Sequence, residues 1–206
     1  MAGVDELSVV AQDYLKVIWA STEWGGKAIT TTELAAKMGT SSPNVSDTLR
    51  RLASQGLVDY QPYHPVQLTS LGEEMALAMV RRHRLIESFL AEILGYEWHE
   101  VHAEAERLEH AVSDEFLSRI DALLGYPTRD PHGDRIPQAS GMAEDADALP
   151  LSEARPGKYE VVRVSDSDPA VLDRLNAAGV LPGVEVDLSE LAVDPDDLAA
   201  VRARPV

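Results

Sequence analysis

Apolar residues recur at helical spacing along most of the chain. Leu7, Val10, Tyr14, Val17 and Ile18 predict an amphipathic helix over 7–21, which Trp24-Gly25-Gly26 breaks. Thr30-Thr31-Thr32-Glu33 is a capping box that opens a short helix over 33–38, ended by Gly39. Ser41 at a cap position and Pro43 in the first turn open another helix, to about Gln55 and closed by Gly56. Leu34, Ala35, Met38, Val45, Leu49 and Leu52 fall where these two helices would pack on each other. Two short runs of strand character, 57–60 and 66–69, then flank Gln61-Pro62-Tyr63-His64-Pro65, which predicts a β-hairpin. Ser70-Leu71-Gly72-Glu73 reads as a further capping box, opening a long helix to about Leu94. Helices over 97–112 and 113–124 follow. The stretch 125–156, rich in Gly, Pro, Asp and Ala, reads as loop and linker. Strands over 159–164 and 184–188, with a helix over 169–178 between them, close the pattern.

Composition narrows the function classes. The chain has 206 residues, 45% of them hydrophobic, enough for a buried core. It has no cysteine, which excludes disulfides, thiolate chemistry and Cys-ligated zinc or iron–sulfur centres. The longest uncharged run, Tyr60 to Gly72, is short and polar, and the N-terminus lacks a signal-peptide series, so a soluble cytoplasmic protein is expected. The formal net charge is −17, which argues against a nucleic-acid binder that works by bulk positive charge. That charge is uneven: −2 over 1–72, −7 over 73–140 and −8 over 141–206. The first third is close to neutral, a hint of separate modules.

Helix, tight turn, helix and hairpin is the order of a winged helix-turn-helix. The second helix offers Ser41, Ser42, Pro43, Asn44, Ser46, Asp47 and Thr48 near its start, residues of a kind that contacts phosphates and base edges in a major groove. Arg50 and Arg51 are the natural phosphate partners. Asp47 is discordant, since a carboxylate repels phosphate; it can accept from a cytosine amino group or lie off the contact surface. The plainer alternative is a compact three-helix packing unit.

A second constellation lies over 101–110. His102, Glu106, Glu109 and His110 fall within about 100° of arc on one helix face. On the preceding helix His83 and Glu87 are one turn apart. Imidazoles and carboxylates converging from two helices can hold a divalent cation; the alternative is two solvated helix faces. Glu100 and Glu104 lie off the face. A set without sulfur suits Mn²⁺ or Fe²⁺, although Zn²⁺ and other divalent ions can bind in vitro.

These residues together resemble the DtxR/MntR family of metal-dependent transcriptional repressors, and most of all its manganese-sensing members. The resemblance covers 7–140 and, more weakly, 156–206. It rests on Asp13-Tyr14-Leu15, the 41–58 segment, Arg82-His83-Arg84-Leu85, the 101–110 run, and Pro131-His132-Gly133-Asp134-Arg135-Ile136-Pro137, the family's P-x-G-x-x-I-P signature. It implies a mainly α chain with small β parts: a winged helix-turn-helix DNA-binding domain (1–72), a helical metal-binding and dimerisation domain (73–140), a linker (141–155) and a short SH3-like β domain (156–206). It implies a main site of Asp13, Glu106, Glu109 and His110, and a second of His83, Glu87 and His102. Asp168 is implied as a further ligand there, and Asp130 and His132 by members that bind a second ion near the Pro-His-Gly turn. Iron-sensing members have Met and Cys where this chain has Asp13 and Glu106.

Three departures stand out. Lys16 replaces a Glu that ligates in some small manganese sensors. Asp47 replaces the Gln that reads DNA in the iron regulators. The C-terminal domain is short by about one hairpin.

The resulting expectation is a manganese-activated repressor, not an enzyme. It is a homodimer on a double-stranded DNA operator, with no membrane and no small-molecule substrate. Iron(II) sensing is the alternative within the family. A metal-dependent hydrolase lacks any acid/base motif beyond the ligands. A Pro-rich-peptide binder lacks aromatic residues, since 156–206 holds only Tyr159.

Overall fold

The computed structural model describes residues 4–138, 145 and 147–206. The start of the expected linker, apart from residue 145, lies outside the described residues. The chain forms two compact units, Met1–Arg81 and Arg82–Val206.

In the first unit, helix α1 (Val9–Glu23) starts at Ser8, whose hydroxyl accepts from Ala11 N. Helix α2 (Thr31–Lys37) has the expected capping box: Thr30 Oγ1 accepts from Glu33 N, and the Glu33 carboxylate accepts from Thr30 N at 2.8 Å. That contact draws the Glu33 carboxyl below its usual range. Helix α3 (Ser42–Ser54) is capped by Ser41. Strands β1 (Val58–Asp59) and β2 (Gln67–Leu68) pair antiparallel as a wing. Val66 N donates to Ile29 O, in the segment before α2, and Thr69 N donates to Leu57 O at the base of the hairpin. Tyr14, Leu15, Ile18, Leu34, Val45, Leu49 and Leu52 are buried.

Helix α4 (Ser70–Glu92) begins in the first unit and ends in the second. Its cap corrects the sequence expectation: Thr69, not Ser70, accepts from Gly72 N, at 3.1 Å, and Ser70 is already helical. Either hydroxyl could cap, and the wing decides, since the Thr69 hydroxyl also donates to Gly56 O at 2.6 Å. Gly72 is required by packing. A Cβ there would lie 1.8 Å from Leu57 O.

In the second unit, α5 (Val101–Leu108) is shorter than the expected 97–112, and α6 (Asp114–Leu123) follows behind its Ser113 cap. Ile86, Leu90, Val101, Ala105 and Leu117 form one core of this region, and Leu85, Ile120 and Ile136 another. The C-terminal part holds β3 (Leu149–Pro150), β4 (Lys158–Val164), β5 (Glu185–Asp187) and β6 (Val201–Pro205), with α7 (Pro169–Ala177) between β4 and β5. Its antiparallel sheet runs β3-β6-β4-β5. The expected linker therefore contributes a strand, and β6 is a second strand that pattern reading missed. β3 is two residues ending in Pro, too short for a period. In β6, Val201 and Ala203 point inward and Arg202 and Arg204 do not, but Ala and Arg carry little strand signal. Among the described residues no helix is long and apolar enough to cross a membrane.

Candidate metal centre

Two helices and one loop of the second unit build a tight cluster. His83 and Glu87 sit one turn apart on α4, His102 on α5, and Asp166 in the loop after β4. One donor atom from each lies within 4.8 Å of every other. His83 Nε2 is 3.0 Å from Glu87 Oε1 and 3.2 Å from His102 Nδ1, which is 2.7 Å from Asp166 Oδ2. Burial disfavours a charge on His102, but the Asp166 and Glu87 carboxylates outweigh it and push the ring up to about 10. Burial likewise opposes ionisation of Glu87, and the His83 and His102 rings overcome it, holding the carboxyl well below its usual range. Asp166 is lowered against its own burial by His102. Two imidazoles and two carboxylates aimed at one point are a donor set that fits a divalent cation.

Glu109, just past α5, is fully buried. Its Oε2 is 2.6 Å from His83 Nδ1, and its Oε1 is 3.4 Å from His110 Nε2. The ring therefore presents Nδ1 to Glu109 and Nε2 to Glu87 and His102. His83 thus touches both groups of candidate ligands. Half-exposed Glu106 brings Oε1 to 3.9 Å from His83 Nδ1. Asp13, the remaining implied ligand of this group, lies half-buried on α1, in the first unit.

Asp168 is not in the cluster. Its carboxylate caps α7, accepting from Ala170 N at 2.9 Å and Val171 N at 3.4 Å. Asp166 takes the position expected for Asp168. The signal was present: Asp followed by Pro is a helix-start pattern, which consumes Asp168 and leaves Asp166 available.

Asp130 and His132 lie in the turn that carries the Pro-x-Gly signature. Asp130 Oδ1 accepts from His132 N and Asp134 N, both at 2.9 Å. Burial first, and then nearby Asp134 and Glu87, push the Asp130 carboxyl well above its usual range. The turn is pinned to β4, with Val164 N donating to His132 O at 2.9 Å and Arg163 donating to Asp134 at 2.8 Å. Gly133 has φ +86°, and a Cβ there would lie 2.2 Å from Val162 O.

On α3, Ser41, Pro43, Asn44, Asp47, Arg50 and Arg51 are exposed, and Ser42 and Ser46 are half-buried. Thr48 is a correction. It is 8% exposed, because it shares the inward face with Val45, Leu49 and Leu52. Asp47 pairs with Arg50, which offsets its charge on this surface.

The "Iron dependent repressor, N-terminal DNA binding domain" family matches residues 6–66. The "Iron dependent repressor, metal binding and dimerisation domain" matches 69–138, and the FeoA domain 149–204. The iron-dependent repressor IdeR of Mycobacterium tuberculosis is 32% identical over 196 residues, covering 89% of this chain and 85% of its own length. The chain belongs to the DtxR/MntR family of metal-dependent transcriptional repressors. The diphtheria toxin repressor of Corynebacterium diphtheriae, 30% identical, covers 85% of this chain and 82% of its own length. Among solved structures, a manganese-dependent transcriptional repressor in complex with manganese superposes with TM-score 0.85 at 41% identity, over 95% of this chain and all of that one. ScaR with bound Zn²⁺ gives 0.80 at 32%, over 95% and 99%. A DtxR/MntR repressor is a DNA-binding regulator and not an enzyme, which answers the hydrolase alternative.

Proposed function

We propose that this repressor responds to manganese. The observation that carries the reading is the donor set. Every candidate ligand is a carboxylate or an imidazole, and the chain has no cysteine. Hard oxygen-rich sets suit Mn²⁺. Asp13 and Glu106 stand where iron-sensing members, by the resemblance, have Met and Cys. The 41%-identical manganese-bound structure supports the same reading. Iron(II) remains the second reading because the IdeR relative is an iron-dependent repressor. The test is anaerobic activation of DNA binding by Mn²⁺ against Fe²⁺, with Asp13→Met/Glu106→Cys beside the natural chain. The natural chain is expected to prefer Mn²⁺ and the double variant Fe²⁺; preference for Fe²⁺ in the natural chain selects the second reading.

In this reading the main ion takes Asp13, Glu106, Glu109 and His110, and the second takes His83, Glu87, His102 and Asp166. The ion supplies a fixed positive charge that offsets converging carboxylates. Asp13 belongs to the DNA-reading unit and the other main ligands to the second unit, so a shared ion ties the two units. That selects one spacing of two reading heads on two operator half-sites about one DNA turn apart. Ser41, Ser42, Pro43, Asn44, Ser46 and Asp47 face the groove, and Arg50 and Arg51 the phosphates. The homodimer is supported by the match to a dimerisation domain and by exposed Phe116, Leu123 and Tyr126 in the same region. The protein acts in the cytoplasm, where operator DNA is.

A further inference from the structure

Within the second unit, a short list of contacts seats the C-terminal sheet on the helical part. Trp98 packs against the core of the sheet, and His99 Nδ1 lies 3.0 Å from Asp173 on α7. His102 Nδ1 lies 2.7 Å from Asp166, and Val164 N donates to His132 O at 2.9 Å. A largely polar seat between two parts of one chain opens and closes rather than staying shut. How often it opens depends on the stretch that joins the two parts. On the helical side, Gln138 Nε2 donates to Ile136 O at 3.1 Å, and the sheet begins at Leu149.

Between those residues one side chain reaches back to the turn. Asp145 sits between two guanidinium groups. Arg129 donates to both its oxygens, at 2.5 and 3.1 Å, and Arg135 donates twice to Oδ1, at 2.7 and 3.1 Å. The Asp145 side chain is 12% exposed. Burial opposes its charge, and Arg129 and Arg135 overcome that, drawing the carboxyl below its usual range. The two arginines are set in place beforehand. They are partners in an isolated antiparallel bridge across the Pro-x-Gly turn, and Arg129 also donates to Gly133 O. Charge-assisted, two-pronged contacts of this kind are the strong ones. Neither the candidate ligands nor the DNA-facing surface uses this group.

We propose that Asp145 is a clasp: held by Arg129 and Arg135, it shortens the tether of the C-terminal domain and so keeps Asp166 seated beside His102. With the clasp closed, the tether runs the four residues from Asp145 to Leu149; without it, the tether runs the eleven from Gln138. Both arginines belong to the helical side, so the short tether persists when the sheet lifts off. The local concentration of one part at the other falls roughly as the −3/2 power of tether length. Loss of the clasp therefore makes the lifted state about four- to fivefold more populated. Asp145 acts on Asp166 only through the length of chain between them, and is a positioning residue. Its role rests on the metal reading in one respect alone: an ion held from both sides adds to the seat that the clasp favours.

The test uses the full-length protein and reads hydrogen exchange of the Val164 amide, which is freed when the sheet lifts from His132. In chelator, Asp145→Ala is expected to speed that exchange about four- to fivefold, and Asp145→Glu to stay near the natural rate. Asp147→Ala takes the same charge from the same stretch and is expected to leave the rate unchanged. Two insertions in the otherwise natural chain separate a clasp from a plain stabilising ion pair. About six Gly/Ser residues after Ala146 lengthen the working tether and should speed exchange about fourfold. The same insert after Ser140 falls inside the loop that the clasp closes and should change little. In Asp145→Ala the two insertions should act alike. Unchanged exchange in Asp145→Ala, or equal effects of the two insertions in the natural chain, overturns the clasp. Adding Mn²⁺ to the natural chain checks the metal reading separately: slower Val164 exchange is expected, and no slowing contradicts an ion at Asp166 while the chelator results still decide on Asp145.

Discussion

His83 uses both ring nitrogens, one toward Glu109 and one toward Glu87 and His102. Removing it leaves two fully buried carboxylates without their nearest imidazole. His83→Ala is therefore expected to destabilise the metal-free protein by about 3 kcal/mol and to weaken both ion sites, read by thermal melting and metal titration. The two acids of the loop after β4 separate a ligand from a cap. Asp166→Ala should weaken the second ion at least about tenfold, the scale of losing a well-placed contact at a metal site. Asp168→Ala should leave metal affinity unchanged and cost about 1 kcal/mol of stability, as for other helix caps. Equal metal loss in the two variants would contradict the assignment. Of the candidate site, the helical members were legible because His83/Glu87 and His102/Glu106/Glu109/His110 repeat at helical spacing. The Asp168-Pro169 start signal could have set Asp168 aside, but nothing local points to Asp166 itself, since its approach to His102 depends on how the loop after β4 packs against α5.

At the scale of elements, local chemistry explains what could be read. Ser41-Ser42-Pro43 and Thr30–Glu33 are self-contained start signals, and both work as written. The α4 cap depends on a tertiary contact between Thr69 and Gly56, and β3 and β6 exist only through their pairing, so none of them stands out in the pattern. Two substitutions probe elements. Gly133→Ala must move the turn from Val162 O and adopt a left-handed conformation, so a loss of about 2 kcal/mol or more in thermal stability is expected. On α3, Arg51→Ala should weaken binding to all DNA sequences alike and lower the slope of log affinity against log salt by about 1. A change of sequence preference instead would move Arg51 from the phosphates to the bases.

For the whole molecule, a net charge of −17 first argues against DNA. The distribution reverses that. The reading head carries only −2, and part of the remaining acidity consists of carboxylates grouped around candidate ion positions. A chain this acidic meets DNA poorly by bulk charge, which makes its binding depend on a gate rather than on general attraction. The gate is the claim to test. A DNA fragment recovered by selection with the Mn²⁺-loaded protein should be titrated by fluorescence anisotropy with the same protein in Mn²⁺ and in chelator, at fixed salt. Affinity on the order of 10- to 100-fold tighter with Mn²⁺ is expected, with that dependence lost in Asp13→Ala. Equal affinity in chelator and in Mn²⁺, or unchanged manganese dependence in Asp13→Ala, would contradict the account.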